Sequence, residues 1–487
     1  MPGTSNFYPL SKELNTIPKH LHHIHLMGIC GTAMASLAGA LKEQGYKVTG
    51  SDRNAYPPMS LFLEKIRVPV LQGFKPENLD PRPDLVVVGN VVTRENPEAK
   101  ALAQLHIPFI SLPQALNHFV MKGKKRIVIA GTHGKTTTSS LAAWVLEVAG
   151  MDPGFMIGGI PRDFDKGLKL GNSDFFVVEG DEYDTAFFDK GPKFFHYNPW
   201  ALILTSIEYD HADIYDNLDQ LKGNFLSLIQ LVPGHGCIIA NAEDPLVMEA
   251  VQNTPCLVYT YGMGKEADCR LVRTSRNQGM TEVILAVKGG ATLRLYTGLY
   301  GKHNLSNLMA VVLLSQWLHI PQQTLKKAAM TFSGVKRRQE VLGEEKGILV
   351  LDDFAHHPTA VKETIRAVKE AFPERRLIAV FEPRSNSSRR NVFQAKYTKS
   401  FDMADLAMIP EPPMMEKIPV KERFSSSKLV QDLQKKGIEA YYVPQPDKLL
   451  QQLLSMVKPG DTVLFMSNGD FDNLPHRFLK SLRIDPP

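Results

Sequence analysis

RIVIAGTHGKTTT, residues 126–138, sets an apolar run, a glycine turn and a threonine-rich helix start in direct succession. The apolar run reads as a buried strand and the residues after Gly134 as a helix, the context a phosphate-binding loop requires. Gly131 and Gly134 let backbone N–H groups approach phosphate oxygens, and the helix N-terminus adds partial positive charge. Lys135 can reach the β and γ phosphates of a nucleotide, and the Thr136 hydroxyl can hold Mg²⁺. Gly131, Thr132, His133, Gly134, Lys135, Thr136 and Thr137 together form the expected ATP loop. Ile129 stands where the usual motif has its first glycine, so the loop is expected to be shortened. A Gly-Lys-Thr tripeptide alone arises readily by chance at a turn, but the preceding strand, the following helix and the run of threonines outweigh that explanation.

Working outward, the same strand–turn–helix logic occurs on both sides. HIHLM (23–27), a glycine turn, a helix pattern over 33–44 and YKVTGSD ending at Asp52 make a βαβ opening, followed by the apolar run DLVVVGN (84–90) and IPFIS (107–111). The polar stretch MKGKK marks the end of a first domain over 1–122. A central domain over 123–333 begins with the phosphate loop. It continues through FFVVE, ALILTSI and GCIIAN, a β-rich stretch over 257–300 and a helix over 308–318. A third domain over 334–487 opens after GVKRRQE with ILVLDDF, and RLIAVFE and DTVLFMS repeat the theme. The expectation is an α/β protein of three domains, which suits 487 residues at roughly 150 per domain.

Composition removes several classes of function. Hydrophobic residues make up 43% and charged residues 22%, ordinary for a folded protein. No apolar run of 18 residues is present to span a membrane, and the first 20 residues lack secretory-signal features, so the cytoplasm is the expected compartment. The net charge of +5 comes without a dense basic block, which speaks against nucleic acid as a partner and suits a phosphate-rich small molecule. The four cysteines lack paired metal spacing and read as reduced structural thiols.

Further residues carry chemistry at strand ends. Glu179, Asp181, Glu182 and Asp184 follow FFVVE, and Glu208, Asp210 and His211 follow ALILTSI, where open α/β sheets place ligands. A carboxylate of the first cluster and the Thr136 hydroxyl can share Mg²⁺, which favours oxygen donors, and Glu179 and His211 are preferred over their neighbours at the two strand ends. A bland reading of each acid alone is a solvated loop residue. His303 and Asn304 in GKHNLSN precede the 308–318 helix as capping residues would, or face a nucleotide base. His356 and His357 are a poor zinc pair, since adjacent histidines point apart. Gly28, Gly31 and Asp52 resemble a dinucleotide fingerprint only weakly. Cys30 and Ala33 occupy its other glycine positions, so a UDP pyrophosphate is a better fit than a nicotinamide. Arg384 in FEPRSNSS is a candidate for gripping an acceptor carboxylate through two parallel bonds.

GTHGKTTT, EGDEYD, IEYDHADIYDN, GKHNLSN, GVKRRQE and DDFAHHPTAV occur in this order, and the ordered set resembles the Mur ligase family across essentially the whole chain. HLMGICGTAM, NAYPPMS, EYDTAFFDKGPKFFHYNPW, FEPRSNSSRRN and VLFMSNGDF resemble the branch that attaches a tripeptide in murein recycling. The resemblance implies Rossmann-like N- and C-terminal domains, for the UDP-sugar and the peptide acceptor, around a central P-loop ATPase. It also implies an ATP- and Mg²⁺-dependent ligase joining UDP-N-acetylmuramate to L-Ala-γ-D-Glu-meso-diaminopimelate through an acyl phosphate. By the same resemblance Lys135, Glu179, His211 and Arg338 are catalytic, Thr136, Glu179 and His211 hold metal, and His303, Asn304 and Asp353 contact the nucleotide. The neighbouring branch that adds L-alanine, and a nucleotide-gated sensor of muramyl precursors that joins nothing, are the alternatives.

Overall fold

A computed structural model describes residues 10–55, 59–210, 214–215, 217–290 and 292–483. Its first sheet contains β1 (His23–Met27), β2 (Lys47–Asp52), β3 (Val70–Gln72), β4 (Leu85–Val88) and β5 (Phe109–Ser111) in the order β3-β2-β1-β4-β5. All its pairings are parallel. The strand order reverses between β1 and β4, which opens a crevice at their C-terminal ends beside Gly28.

The central sheet is built from β6 (Lys125–Ala130), β7 (Gly154–Met156), β8 (Leu168–Lys169) and β9 (Phe175–Gly180). A hairpin of β10 (Asp184–Ala186) and β11 (Asp189–Pro192) stands apart from it. The sheet continues through β12 (Ala201–Leu204), β13 (Cys237–Asn241), β14 (Leu257–Gly262), β15 (Cys269–Asn277), β16 (Met280–Val287) and β17 (Leu293–Thr297). Its order is β17-β16-β15-β14-β13-β12-β6-β9-β7-β8, with β12, β6, β9 and β7 mutually parallel. This parallel centre is buried on both faces, whereas β16 alternates buried and half-buried residues, as expected of an antiparallel strand with one wet face. The helix Lys302–Trp317 is apolar nearly all round and packs between the helix Lys135–Val148 and β13–β15.

The third sheet holds β18 (Glu340–Glu345), β19 (Ile348–Asp353), β20 (Arg376–Phe381), β21 (Leu406–Ile409), β22 (Glu439–Tyr442) and β23 (Asp461–Met466). Its order is β18-β19-β23-β20-β21-β22, parallel except at β18. Every residue of β19 is buried, which explains the apolar run Ile348–Leu351 that precedes its two buried aspartates. The helix Pro358–Ala371 follows it, with proline at its first position and His357 as N-cap.

One expectation needs correction. The helix read as 308–318 begins at Lys302, with Gly301 at its N-cap at φ +84°. His303 and Asn304 therefore lie within its first turn and do not cap it. Glycine alone adopts that backbone angle without strain, and it moves the helix start ahead of the polar residues that hide it in the sequence.

Candidate active site

The phosphate loop joins the end of β6 to the helix starting at Lys135. Gly131 sits at φ +128° and Gly134 at φ +83°. A Cβ on Gly131 would lie 2.2 Å from Thr205 Oγ1 and 2.7 Å from Ser206 N, and one on Gly134 would lie 2.6 Å from Asn307 Oδ1. The loop is pinned to the end of β12: Thr132 N donates to Ser206 O (2.9 Å), His133 N to Ser206 Oγ (3.0 Å) and Glu208 N to Thr132 Oγ1 (2.9 Å). Gly131→Ala is expected to weaken ATP binding by about tenfold or more, because the added methyl forces both strain and a clash worth about 1–3 kcal/mol. Calorimetric titration with ATP checks this, and unchanged affinity would remove the loop from the nucleotide site.

Lys135 Nζ donates to Gly131 O at 2.7 Å and to the two carboxylate oxygens of Glu182 at 2.8 and 3.1 Å. Glu182 is only 1% exposed. Burial pulls the Lys135 ammonium down, but Glu182, Asp181 and Glu179 outweigh it and hold its pKa above the ordinary lysine value. Thr136 Oγ1 donates to Glu179 Oε2 at 3.3 Å and accepts from Arg338 Nη2 at 3.2 Å, while Gly158 N donates to Glu179 Oε1 at 2.9 Å. Burial, with Asp181 adding, pushes Glu179 up to about 7 against the pull of Lys135 and Arg338. A half-buried carboxylate beside a threonine hydroxyl offers the oxygen donors that suit a hard divalent cation. Arg338 comes from the third domain, with its guanidinium 4.6 Å from the Phe354 ring centroid.

On the side of the expected nucleoside, Asn304 Nδ2 donates to Tyr300 O (3.1 Å) and Gln339 Oε1 (2.9 Å), and Asn307 Nδ2 reaches Asn304 Oδ1 at 3.4 Å. His303 is pushed below its ordinary pKa, chiefly by burial, and its Nδ1 has no partner among the described residues. Asp353 accepts from Gln339 N and Ala355 N, both at 2.7 Å. Its carboxylate thereby shapes the loop carrying Arg338.

Gly28, Gly31 and Asp52 converge at the first crevice. Gly28 N and Ile29 N donate to Ser51 O, and Cys30 N donates to Asp52 Oδ2 at 2.9 Å. Asp52 thus braces the turn that leads into the helix Thr32–Glu43, whose N-cap is Gly31. Arg384 lies on a cavity of about 290 Å³ with Tyr183, Asn386, Arg389, Met414 and Asn468. It pairs with Asp470 (2.6 Å) and more distantly with Glu382 (3.6 Å). Tyr183 follows Glu182 directly, so this cavity adjoins the acids around Lys135.

His211 lies outside the described residues. Sequence reasoning missed Glu182 as the partner of Lys135, Asn307 under Gly134, and the meeting of Glu208 with His133 and His357. The sequence signals for them were membership of the two acidic runs, of GKHNLSN, of the glycine loop and of the adjacent histidine pair, none of which indicates who pairs with whom.

The architecture and these motifs coincide with known proteins. Residues 23–123 match the "Mur ligase family, catalytic domain", 129–315 the "Mur ligase middle domain" and 337–469 the "Mur ligase, glutamate ligase domain". UDP-N-acetylmuramate–L-alanyl-γ-D-glutamyl-meso-2,6-diaminoheptandioate ligase of Escherichia coli (strain K12) is 38% identical over 94% of this chain and 98% of that protein. The chain belongs to the Mur ligase family. Mur ligases are ATP-dependent enzymes that form amide bonds. The UDP-N-acetylmuramate–L-alanine ligase of Salinibacter ruber is 33% identical over 97% of this chain and 98% of that one. Among solved Mur ligases, a murein peptide ligase from Psychrobacter arcticus superposes with a TM-score of 0.71 at 32% identity, covering 96% of this chain and 100% of its own. No helix among the described residues is long and apolar enough to cross a membrane.

Proposed function

We propose that this Mur ligase uses ATP to join UDP-N-acetylmuramate to the tripeptide L-Ala-γ-D-Glu-meso-diaminopimelate, in the cytoplasm, as a step of murein recycling. The observation that carries the reading is the convergence of Lys135, Thr136, Glu179 and Arg338 at adjoining strand ends, next to a cavity lined by Arg384, Arg389 and Tyr183. The greater identity to tripeptide ligases than to L-alanine ligases, 38% against 33%, favours the larger acceptor.

Each part has a task in that reading. The loop amides and Lys135 hold the triphosphate and neutralise the phosphoryl group as it passes to the lactyl carboxylate. Thr136 and Glu179 would hold Mg²⁺, which offsets charge on the phosphates, and His211 is the proposed further ligand. Arg338 brings a fixed cation from the third domain to the same place. Asn304 and His303 face the nucleoside, Asp353 sets the Arg338 loop, and Gly28, Gly31 and Asp52 form the turn for the UDP pyrophosphate. With the peptide amine delivered from the Arg384 cavity, attack on the acyl phosphate forms the amide and releases phosphate. Packing of the third domain over the loop excludes water that would hydrolyse that intermediate.

The test is a product assay with UDP-N-acetylmuramate, ATP and a panel of amine acceptors. Amide product with stoichiometric ADP and phosphate is expected with tripeptide. Turnover with free L-alanine alone would reassign the chain to the alanine-adding branch, and nucleotide binding with no product would make it a sensor. Arg384→Ala is expected to raise the KM for tripeptide by about ten- to a hundredfold with a smaller change in kcat, the loss of a charge-assisted pair worth about 1.5–3 kcal/mol. An unchanged KM would place the acceptor carboxylate elsewhere.

A further inference from the structure

Three donor groups from distant parts of the chain meet on the far side of the phosphate loop from Glu179: His133 of the loop, Glu208 beyond β12, and His357 of the third domain. Among the described residues their ligand atoms lie within 4.8 Å of one another. His133 Nε2 is 3.1 Å and His357 Nδ1 3.9 Å from Glu208 Oε2, with the two imidazole centroids 4.9 Å apart. Donors at zinc–ligand distances of about 2.0–2.2 Å in a tetrahedron stand about 3.3 Å apart. The first pair already has that spacing, His357 Nδ1 is 3.9 Å from Glu208 Oε2, and the triad as a whole, within 4.8 Å, closes to it by a shift of at most about 1.5 Å.

The state of His357 supports a missing ligand. The ring is 1% exposed; its Nδ1, the atom 3.9 Å from Glu208 Oε2, accepts a 3.3 Å bond from Thr359 N, and its Nε2 has no partner among the described residues. Glu208 is oriented by its other oxygen, which accepts from Thr359 Oγ1 at 2.8 Å, the kind of outer contact that fixes a ligating carboxylate. Two imidazoles and one carboxylate are a zinc-type donor set, unlike the oxygen pair of Thr136 and Glu179.

We propose that His133, Glu208 and His357 form a zinc-class metal site that ties the phosphate loop of the central domain to the third domain. The site leaves a fourth position open to water and is separate from the magnesium position.

The experiment titrates metal-stripped full-length protein with Zn²⁺ in excess Mg²⁺, using a chromophoric chelator as competitor and elemental analysis for stoichiometry. One zinc per chain is expected. His133→Asn and His357→Asn should each weaken it by about a hundredfold, since loss of a ligand costs at least as much as loss of an outer-shell partner. Asparagine at 357 retains helix capping, so that variant keeps its fold, and His133→Asn tests the same ligand set from the other domain. X-ray absorption at the zinc edge should show nitrogen and oxygen neighbours without sulfur. No bound zinc above the magnesium background, affinity unchanged in both variants, or sulfur from the half-buried Cys256 in the zinc shell would each overturn the site.

Discussion

Lys135→Ala is expected to lower ligation by about 10²–10³-fold or more, the scale at which single charge-stabilising groups act on a developing anion. The structure adds a second consequence. Glu182 is buried and ion-paired with Lys135, so removing the lysine alone breaks a buried pair, a change that costs up to about 3–5 kcal/mol. The single variant should therefore melt earlier than the parent. Lys135→Ala combined with Glu182→Gln should regain most of the lost thermal stability and none of the activity. Melting curves and single-turnover phosphoryl transfer on both variants separate the two roles. A double variant with a near-parental rate would remove Lys135 from the chemistry.

Glu179→Gln is expected to cost about 10²-fold or more in turnover and to raise the Mg²⁺ concentration needed for half-maximal rate, as loss of an anionic oxygen ligand requires. The parent enzyme supplies a pH signature. With Glu179 at about 7, its protonated form competes with the cation, so the apparent Mg²⁺ affinity should fall about tenfold per pH unit below that value and level off above it. For stability the sign is opposite. Between the ordinary value of 4.5 and about 7 the folded chain holds a proton that the unfolded chain has released, so without metal stability declines as pH rises through that window. Glu179→Gln should flatten both profiles. Magnesium dependence that ignores pH in the parent, or persists unchanged in the variant, would take Glu179 out of the metal site.

Much of the local geometry here is legible in the sequence because its signals are local. A glycine turn between an apolar strand and a helix is a backbone requirement, and Gly131 and Gly134 adopt the positive φ angles that only glycine tolerates easily. The acids after FFVVE stand at a strand end whatever the sheet order. What sequence could not supply is which of several neighbouring acids each cation takes. Lys135 pairs with Glu182, leaving Glu179 to Thr136, and alternation along the chain past β9 does not distinguish them. Asp52 and Asp353 illustrate the same limit, since both carboxylates accept backbone N–H groups of their own turns.

The sequence by itself determined an α/β protein, the glycine turn between strand and helix at Gly131 and Gly134, and the acids that follow the next strand, because strand period, turn chemistry and helix starts are properties of contiguous residues. Only the tertiary structure decided that Arg338 reaches Thr136 and that His133, Glu208 and His357 face one another. Those groups come from different domains, and their approach depends on how separately folded sheets pack together, which no local pattern encodes.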